Sequence, residues 1–229
     1  MRVEYKAGSD QFNLSRKGKL CGSWVGDFLG IGDKSRAIIL KKMAGTYEDV
    51  RDHFRDRLCG WGVKQEPNAV IDADAIFPNG VFKVGSLASA LPEPLSKLEG
   101  SPDIVTIDCN GNYIPIEIKT RCMPDFDTAV PYCSKEVVPS KHWCQLQTYE
   151  LLLAAPYGYL LSYTSHHGYK LFCQLFCQDM FDKCVAPLLK EYDRGILPTR
   201  TQHAQKQFTQ NLIDYHVRDC TSEVFSLSR

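Results

Sequence analysis

Apolar residues change their period several times along the chain, and the changes divide it into elements. GSWVGDFLG (22–30) reads as a short helix after the basic stretch Arg16-Lys17-Gly18-Lys19. SRAIILKKMAGTYEDVRDHFRDRLC (35–59) keeps apolar residues at helical spacing and predicts two helices, or one interrupted near Gly45. From about 64 to 90 the pattern reads as extended, with Val70, Ile71, Ile76 and Phe77 around a Pro-Asn-Gly turn at 78–80. LPEPLSKLE (91–99) reads as a loop. IVTID (104–108) alternates as a strand, CNGN turns the chain, and YIPIEIK (113–119) supplies a partner strand. Pro115 fits best at a sheet edge or near that strand's start, because it donates nothing to a ladder.

Beyond a loop rich in Pro, Asp and Cys (122–140), KHWCQLQTYELLLAA predicts a helix that ends before Pro156. YGYLLSYTS and GYKLFCQLF read as two further strands. QDMFDKCVAPLLKEYDRG reads as a helix stopped by Gly195, and 202–218 as a final helix. Helix, mixed strands, helix, strands, helix in that order predict an α/β (α+β) domain on one central sheet. The 229 residues suit a single domain over 1–229, with 178–229 as its helical C-terminal part.

Composition adds little. The chain is 44% hydrophobic and 24% charged, with 27 basic and 27 acidic side chains, ordinary values for a globular protein. Zero net charge neither predicts nor excludes a nucleic-acid partner, since an acidic site offsets a basic groove in the count. No apolar run reaches the roughly 18 residues of a membrane span, and MRVEYKAGSDQ lacks a signal-peptide core. The expectation is therefore no membrane and a cytoplasmic or nuclear, reducing location. The ten cysteines contain no Cys-x-x-Cys; Cys173, Cys177 and Cys184 come nearest to a cluster and read as buried thiols rather than an iron–sulfur site.

Candidate chemistry concentrates in GSPDIVTIDCNGNYIPIEIKTR (100–121). Strand alternation puts Glu117 and Lys119 on one face, and Asp103 stands at the mouth of the preceding strand. Phosphodiester hydrolysis needs a metal to lower the pKa of water and to neutralise transition-state charge. Magnesium takes oxygen ligands and keeps several waters, so two carboxylates and a backbone carbonyl form a partial shell. A lysine beside them can steady hydroxide or a phosphate oxygen, its charge favoured by the acids. On these residues alone, a surface hairpin with solvated charges explains the stretch as well.

GSPDIV…IPIEIKTR resembles the core of the PD-(D/E)xK nuclease superfamily, and its Ser-Pro-Asp resembles the lambda-exonuclease or YqaJ branch, the viral alkaline-exonuclease recombinases. HWCQLQTYELLL is similar to that branch's glutamine-bearing helix, which points to Gln145, Gln147 and Tyr149. GTYEDVRDHF resembles its upstream helix and makes Glu48 the third carboxylate; Asp49, Asp52 and Glu66 compete with it, and His53 is a further metal candidate. RKGKLCGSWVGDFLG resembles the N-terminal segment that holds a terminal 5′-phosphate, through Arg16 and Ser23 together with Ser101. An arginine suits that task because its planar fork pairs phosphate oxygens bidentately. Arg121 lies closer to the lysine than the family's further arginine does.

The resemblance covers about residues 16–165 in four segments and implies a restriction-endonuclease-like core, a central mixed sheet flanked by helices. It further implies a magnesium-dependent deoxyribonuclease, with manganese as substitute and two ions. Asp103, Glu117, the Ile118 carbonyl and Glu48 would be ligands, and Lys119 and Gln145 would position the attacking water. Gln147, Tyr149 and Arg121 would contact nucleic acid. The expected activity is a 5′-to-3′ exonuclease on duplex ends serving recombination, repair or replication, as a homotrimer and with a single-strand annealing protein as partner. The alternatives are an endonuclease of the same superfamily acting on RNA or branched DNA, and an inactive nucleic-acid-binding module.

Overall fold

The structure, a computed structural model, describes residues 16–48, 53–120, 138–164, 168–196 and 222–225, with isolated positions at 14, 207 and 210–211. In chain order, β1 (Leu20–Cys21) leads into α1 (Gly22–Phe28), followed by α2 (Arg36–Ala44) and the long α3 (His53–Ile76). β2 (Leu87–Ala88), β3 (Leu98–Gly100), β4 (Ile104–Ile107) and β5 (Tyr113–Thr120) come next. After α4 (Ser140–Leu153), β6 (Tyr157–Thr164) and β7 (Gly168–Leu175) form a hairpin. The short α5 (Gln178–Met180) and α6 (Ala186–Asp193) are joined by a π turn at Phe181–Val185, and β8 (Ser222–Phe225) completes the main sheet. The π turn sits just ahead of Pro187, whose missing N–H would interrupt a regular α-helical ladder there. No described helix is long and apolar enough to cross a membrane.

Five strands form the main sheet in the order β4-β5-β6-β7-β8, all antiparallel except β5 with β6. That one parallel pair requires a crossover, and α4 provides it. A smaller sheet, β1-β3-β2, carries the start of α1 to the end of β3 through the parallel pairs Leu20↔Leu98 and Cys21↔Glu99. The class is α/β, as the element order predicts.

β5 is buried from Ile114 to Ile118 because both its faces are covered. Ile116 and Ile118 pack with Ala69 and Ala73 of α3 and with Phe77 just beyond it on one side. The other side of the sheet meets α4, where Trp143, Leu146 and Tyr149 join Leu160, Phe172 and residues of α1 and α2. Strand alternation therefore turns Glu117 and Lys119 away from α3 and toward α4. Pro115 lies in an internal strand at no cost. Val105, its register partner, spends both main-chain groups on Phe82, at 2.8 and 2.9 Å, so Val105 and Pro115 form a non-hydrogen-bonded pair. On its other side, pairing with β6 begins only at Ile116.

The extended reading of 64–76 is corrected: this segment is the second half of α3. Ala69, Ala73 and Phe77 recur every fourth residue and are buried, which is the helical period. The β-branched Val70, Ile71 and Ile76 obscured it. Pro67 lies inside the helix on its exposed side, as does Val63, so the carbonyl the proline cannot satisfy is left to water. The predicted turn at 78–80 is present: Gly80 has φ +71°, and Asn79 Nδ2 donates to the Ile107 carbonyl at 2.7 Å. The loop expected at 91–99 contains a 3-10 turn (Leu95–Lys97) and the start of β3, and the C-terminal part expected to be helical also supplies β8. Every described cysteine is a free thiol, with Cys144, Cys177 and Cys184 buried in the core beside α4.

Candidate active site

The site forms where β4 begins and β5 ends. β4 pairs no further than Ile104↔Ile116, and Asp103 continues its line with a side chain: Oδ2 accepts the Ile118 N–H at 2.7 Å. Ile118 lies in the register whose N–H and C=O both point toward β4, so its carbonyl looks into the same gap as Asp103. One residue earlier, Glu117 is 2% exposed and turned toward α4. Its Oε1 accepts from Gln145 Nε2 at 2.6 Å and from Lys119 Nζ. Its Oε2 is buried with no partner. An orphaned carboxylate oxygen beside a second acid and a strand carbonyl is a costly arrangement for a metal-free protein.

Electrostatics agree with the geometry. Burial pushes the Asp103 carboxyl well above the usual carboxylate range, and the Glu117 charge pushes it further. Lys119 and the Ile118 N–H oppose the shift, while Glu66 adds to it. A divalent cation would reverse that penalty, and the donors are all hard oxygens, which suits magnesium or manganese. Among the described residues no three His, Cys, Asp or Glu side chains gather as a ready-made metal cage. Two carboxylates and a carbonyl leave positions for water, as magnesium prefers.

Glu66, on the helix that covers the opposite face of the sheet, lies near enough for its charge to act on Asp103. A Cβ on Gly62 would lie 2.8 Å from Thr120 Oγ1, so α3 runs close against the end of β5. Glu66 follows one turn later and meets Lys83 Nζ at 3.4 Å, with Lys83 70% exposed at the rim. Glu48 is exposed at the end of the segment after α2, and no described contact links it to Asp103 or Glu117. Asp49, Asp52 and Arg121 lie outside the described residues, as does the side chain of His53.

The two glutamines separate. Positions two apart on a helix point in different directions. Gln145 faces Glu117 and also donates to the Tyr149 hydroxyl at 2.8 Å. Gln147, expected to contact phosphate, is turned elsewhere: it is fully buried, with Nε2 donating to the Leu175 carbonyl at 2.7 Å and Oε1 accepting the Cys177 N–H at 2.6 Å. It ties α4 to the exit of β7.

Tyr149 links the acids to the N-terminal segment. A Cβ on Gly22 would lie 2.9 Å from its ring, and one on Gly100 only 2.6 Å, so the ring is held between the start of α1 and the end of β3. Ser23 and Ser101 each follow one of those glycines, both half-buried, because the β1–β3 register brings the two segments side by side. Arg16 exerts its charge on Tyr149 and on Cys21. Burial and the Glu117 charge keep the Tyr149 phenol well above its ordinary range, so it is a neutral hydroxyl. Ser23 and Ser101, distant in sequence, thus follow the two glycines that hold the Tyr149 ring, whose hydroxyl meets Gln145, and Arg16 acts on the same ring by its charge. Sequence reasoning missed Lys83 and the two glycines; the repeated Gly-Ser pair, 22–23 and 100–101, was the available signal.

No protein-family model matches the chain, and no curated protein matches it by sequence. Solved structures do. An alkaline exonuclease, LHK-Exo from Laribacter hongkongensis, superposes with a TM-score of 0.60 at 13% identity, over 90% of this chain and 99% of that one. LHK-Exo in complex with dAMP superposes with a TM-score of 0.56 at 16% identity, over 92% and 97%. The chain therefore shares the fold of that solved alkaline exonuclease over nearly its whole length.

Proposed function

We propose that the protein is a metal-dependent nuclease that hydrolyses phosphodiester bonds in DNA. The observation that carries this reading is the unpartnered Oε2 of Glu117, buried beside Asp103 and the Ile118 carbonyl. The fold shared with a solved alkaline exonuclease supports it.

Asp103, Glu117 and the Ile118 carbonyl would hold magnesium, with Glu66 entering from α3 in preference to Glu48. The ion, when bound, supplies a Lewis acid that lowers the pKa of water and offsets charge on the pentacoordinate phosphorus. Lys119, held by Glu117, places a positive charge at the same oxygens and orients the nucleophile. Gln145 fixes the Glu117 carboxylate by its amide N–H and, through Tyr149, keeps a constant distance from the N-terminal segment. Arg16, Ser23 and Ser101 would take a terminal 5′-phosphate, which makes the reaction a 5′-to-3′ exonucleolytic one on duplex ends. Recombination or repair is the setting such an activity suits, with a ring-forming homotrimer and a single-strand annealing protein as its partners.

Digestion of 5′-phosphorylated linear DNA in magnesium, by wild type against Asp103→Ala and Lys119→Ala, tests the assignment. Wild type should degrade the linear DNA and spare closed circles, and both variants should be inactive. Equal activity in all three would remove the site; rapid cutting of circles would convert the reading to an endonuclease.

A further inference from the structure

Helix α4 carries a second polar device, on a face directed away from the catalytic acids. Glu150 is fully buried and both its carboxyl oxygens lack a hydrogen-bond partner. It lies over the register pair Gly158↔Gln174 of β6 and β7. A Cβ on Gly158 would come 2.7 Å from Glu150 Oε1, so the carboxyl fills the space that any larger residue would need. Gln174 is 1% exposed; its Nε2 donates to the Trp143 carbonyl at 3.2 Å, and its Oε1 has no partner. Trp143 lies two turns before Glu150 on the same helix, so the Gln174 amide spans one stripe of α4.

The orphans resolve each other in only one protonation state. The Trp143 carbonyl takes one of the two Nε2 hydrogens, which leaves the second N–H and Oε1 for the carboxyl. Oε1 can only accept, and an ionised carboxylate can only accept. A protonated Glu150 donates to Oε1 from one oxygen and accepts the second N–H at the other, and all three unpartnered atoms are then satisfied. We propose that Glu150 is a positioning residue that, as a neutral acid, donates a hydrogen bond to Gln174 Oε1 and fixes the rotation of α4 that aims Gln145 at Glu117.

The surroundings favour the neutral form. Leu146 and Gly158 pack against the carboxyl. Charged and titratable groups of the adjoining elements are engaged elsewhere: Lys170 of β7 sits with Nζ 5.1 Å from the centroid of the Phe172 ring, Glu117 of β5 binds Gln145, and Tyr149 is wedged between glycines. Asp27 of α1 accepts the Lys34 N–H, and Cys144 and Cys184 are buried thiols. Burial raises the Glu150 carboxyl well above the ordinary carboxylate range, opposed in smaller part by the Gln174 amide and by no charged group. Because ionisation is harder in the folded chain, the stability contributed is full below the ordinary carboxylate range and is lost as pH rises through the folded value.

Thermal unfolding of wild type, Glu150→Gln and Glu150→Ala from pH 5 to 9, without metal or DNA, tests the seat independently of nuclease activity. Glu150→Gln keeps a donor that does not titrate. Its midpoint should exceed that of wild type by a gap that widens about 3–5 °C per pH unit and then levels off, while Glu150→Ala is lower throughout the acidic range. Parallel wild-type and Glu150→Gln curves, or a Glu150→Gln that falls to the level of Glu150→Ala, would overturn the neutral-donor seat. The link to Gln145 rests on the proposed function and has its own arm. With linear DNA, Glu150→Ala should lower kcat about 10-fold with KM nearly unchanged, and Glu150→Gln should restore it. An unchanged kcat in Glu150→Ala overturns the positioning role alone.

Discussion

The two ends of strand β4 each carry an aspartate, and the two could hardly be treated more differently. At the turn, Asp108 accepts the backbone N–H groups of Asn110 and Asn112, at 2.8 and 2.9 Å, and the Asn112 side-chain amide at 2.9 Å. Those donors hold its carboxyl below the ordinary range, and its work is to build the turn. At the mouth, Asp103 has one N–H, from Ile118, and faces the charges of Glu117 and Glu66. An acid surrounded by donors builds the turn; the acid crowded by other acids is the one we propose as a cation ligand. Perturbation toward the unfavourable side is what separates the proposed ligand from the turn-building carboxylate in the same hairpin.

The sharpest break of this comparison is substitution at both ends. Asp103→Asn should reduce DNA hydrolysis about 10³-fold while leaving the metal-free protein as stable as wild type or more so. Asp108→Ala should do the reverse, lowering the unfolding midpoint with activity kept. Rates on linear DNA and urea titrations distinguish the two, and the idea is lost if Asp103→Asn unfolds while retaining its rate.

Next in size is the upstream acid. Glu66→Gln should cost about 10–100-fold in activity or metal affinity, with Glu48→Gln indistinguishable from wild type. Calorimetric titration with manganese reads the affinity arm directly, and equal effects at both positions would reject Glu66.

A pH series on the metal-free protein separates the two aspartates by sign. The folded Asp103 ionises less readily than an unfolded aspartate, so its contribution is full in acid and declines as pH rises through its folded value. Asp108 ionises more readily, so its contribution is present above the ordinary range and is lost as pH falls through its folded value. Relative to wild type, Asp103→Asn should therefore gain stability with rising pH, and Asp108→Asn should lose it; a common slope would contradict the assignment.

The smallest expected effect belongs to Lys83. It competes for Glu66 from an exposed rim, so Lys83→Ala should tighten manganese binding by about 2–5-fold and weaken DNA binding. Weaker metal binding would mean that Lys83 supports Glu66 and does not compete for it.

Much of the fold was legible because the hairpin and the β6–β7 pair alternate cleanly, and because Gly195 and Pro156 mark helix ends. The acids of the hairpin were legible for the same reason. Three things were not. α3 hid its four-residue period behind β-branched residues and Pro67, and with it the route by which Glu66 reaches Asp103. β1 to β3 are two or three residues each, too short to show any period, yet their register is what brings the segments of Ser23 and Ser101 together beside Tyr149. Gln145 and Gln147 could not be told apart, since only the packed rotation of α4 decides which of them meets the acids.

The parallel pairing of β5 with β6 also has a consequence in time. Glu117 and Lys119 have as register partners Leu160 and Ser162, which are synthesised only after the whole crossover helix. Pairing across such a distance is slow to form and comes late in folding. A ribosome-bound chain that already displays every proposed catalytic residue still lacks the strand that aligns them. On the proposed function, the growing polypeptide cannot cut nucleic acid near its own site of translation, and competence arrives only when β6 closes the sheet.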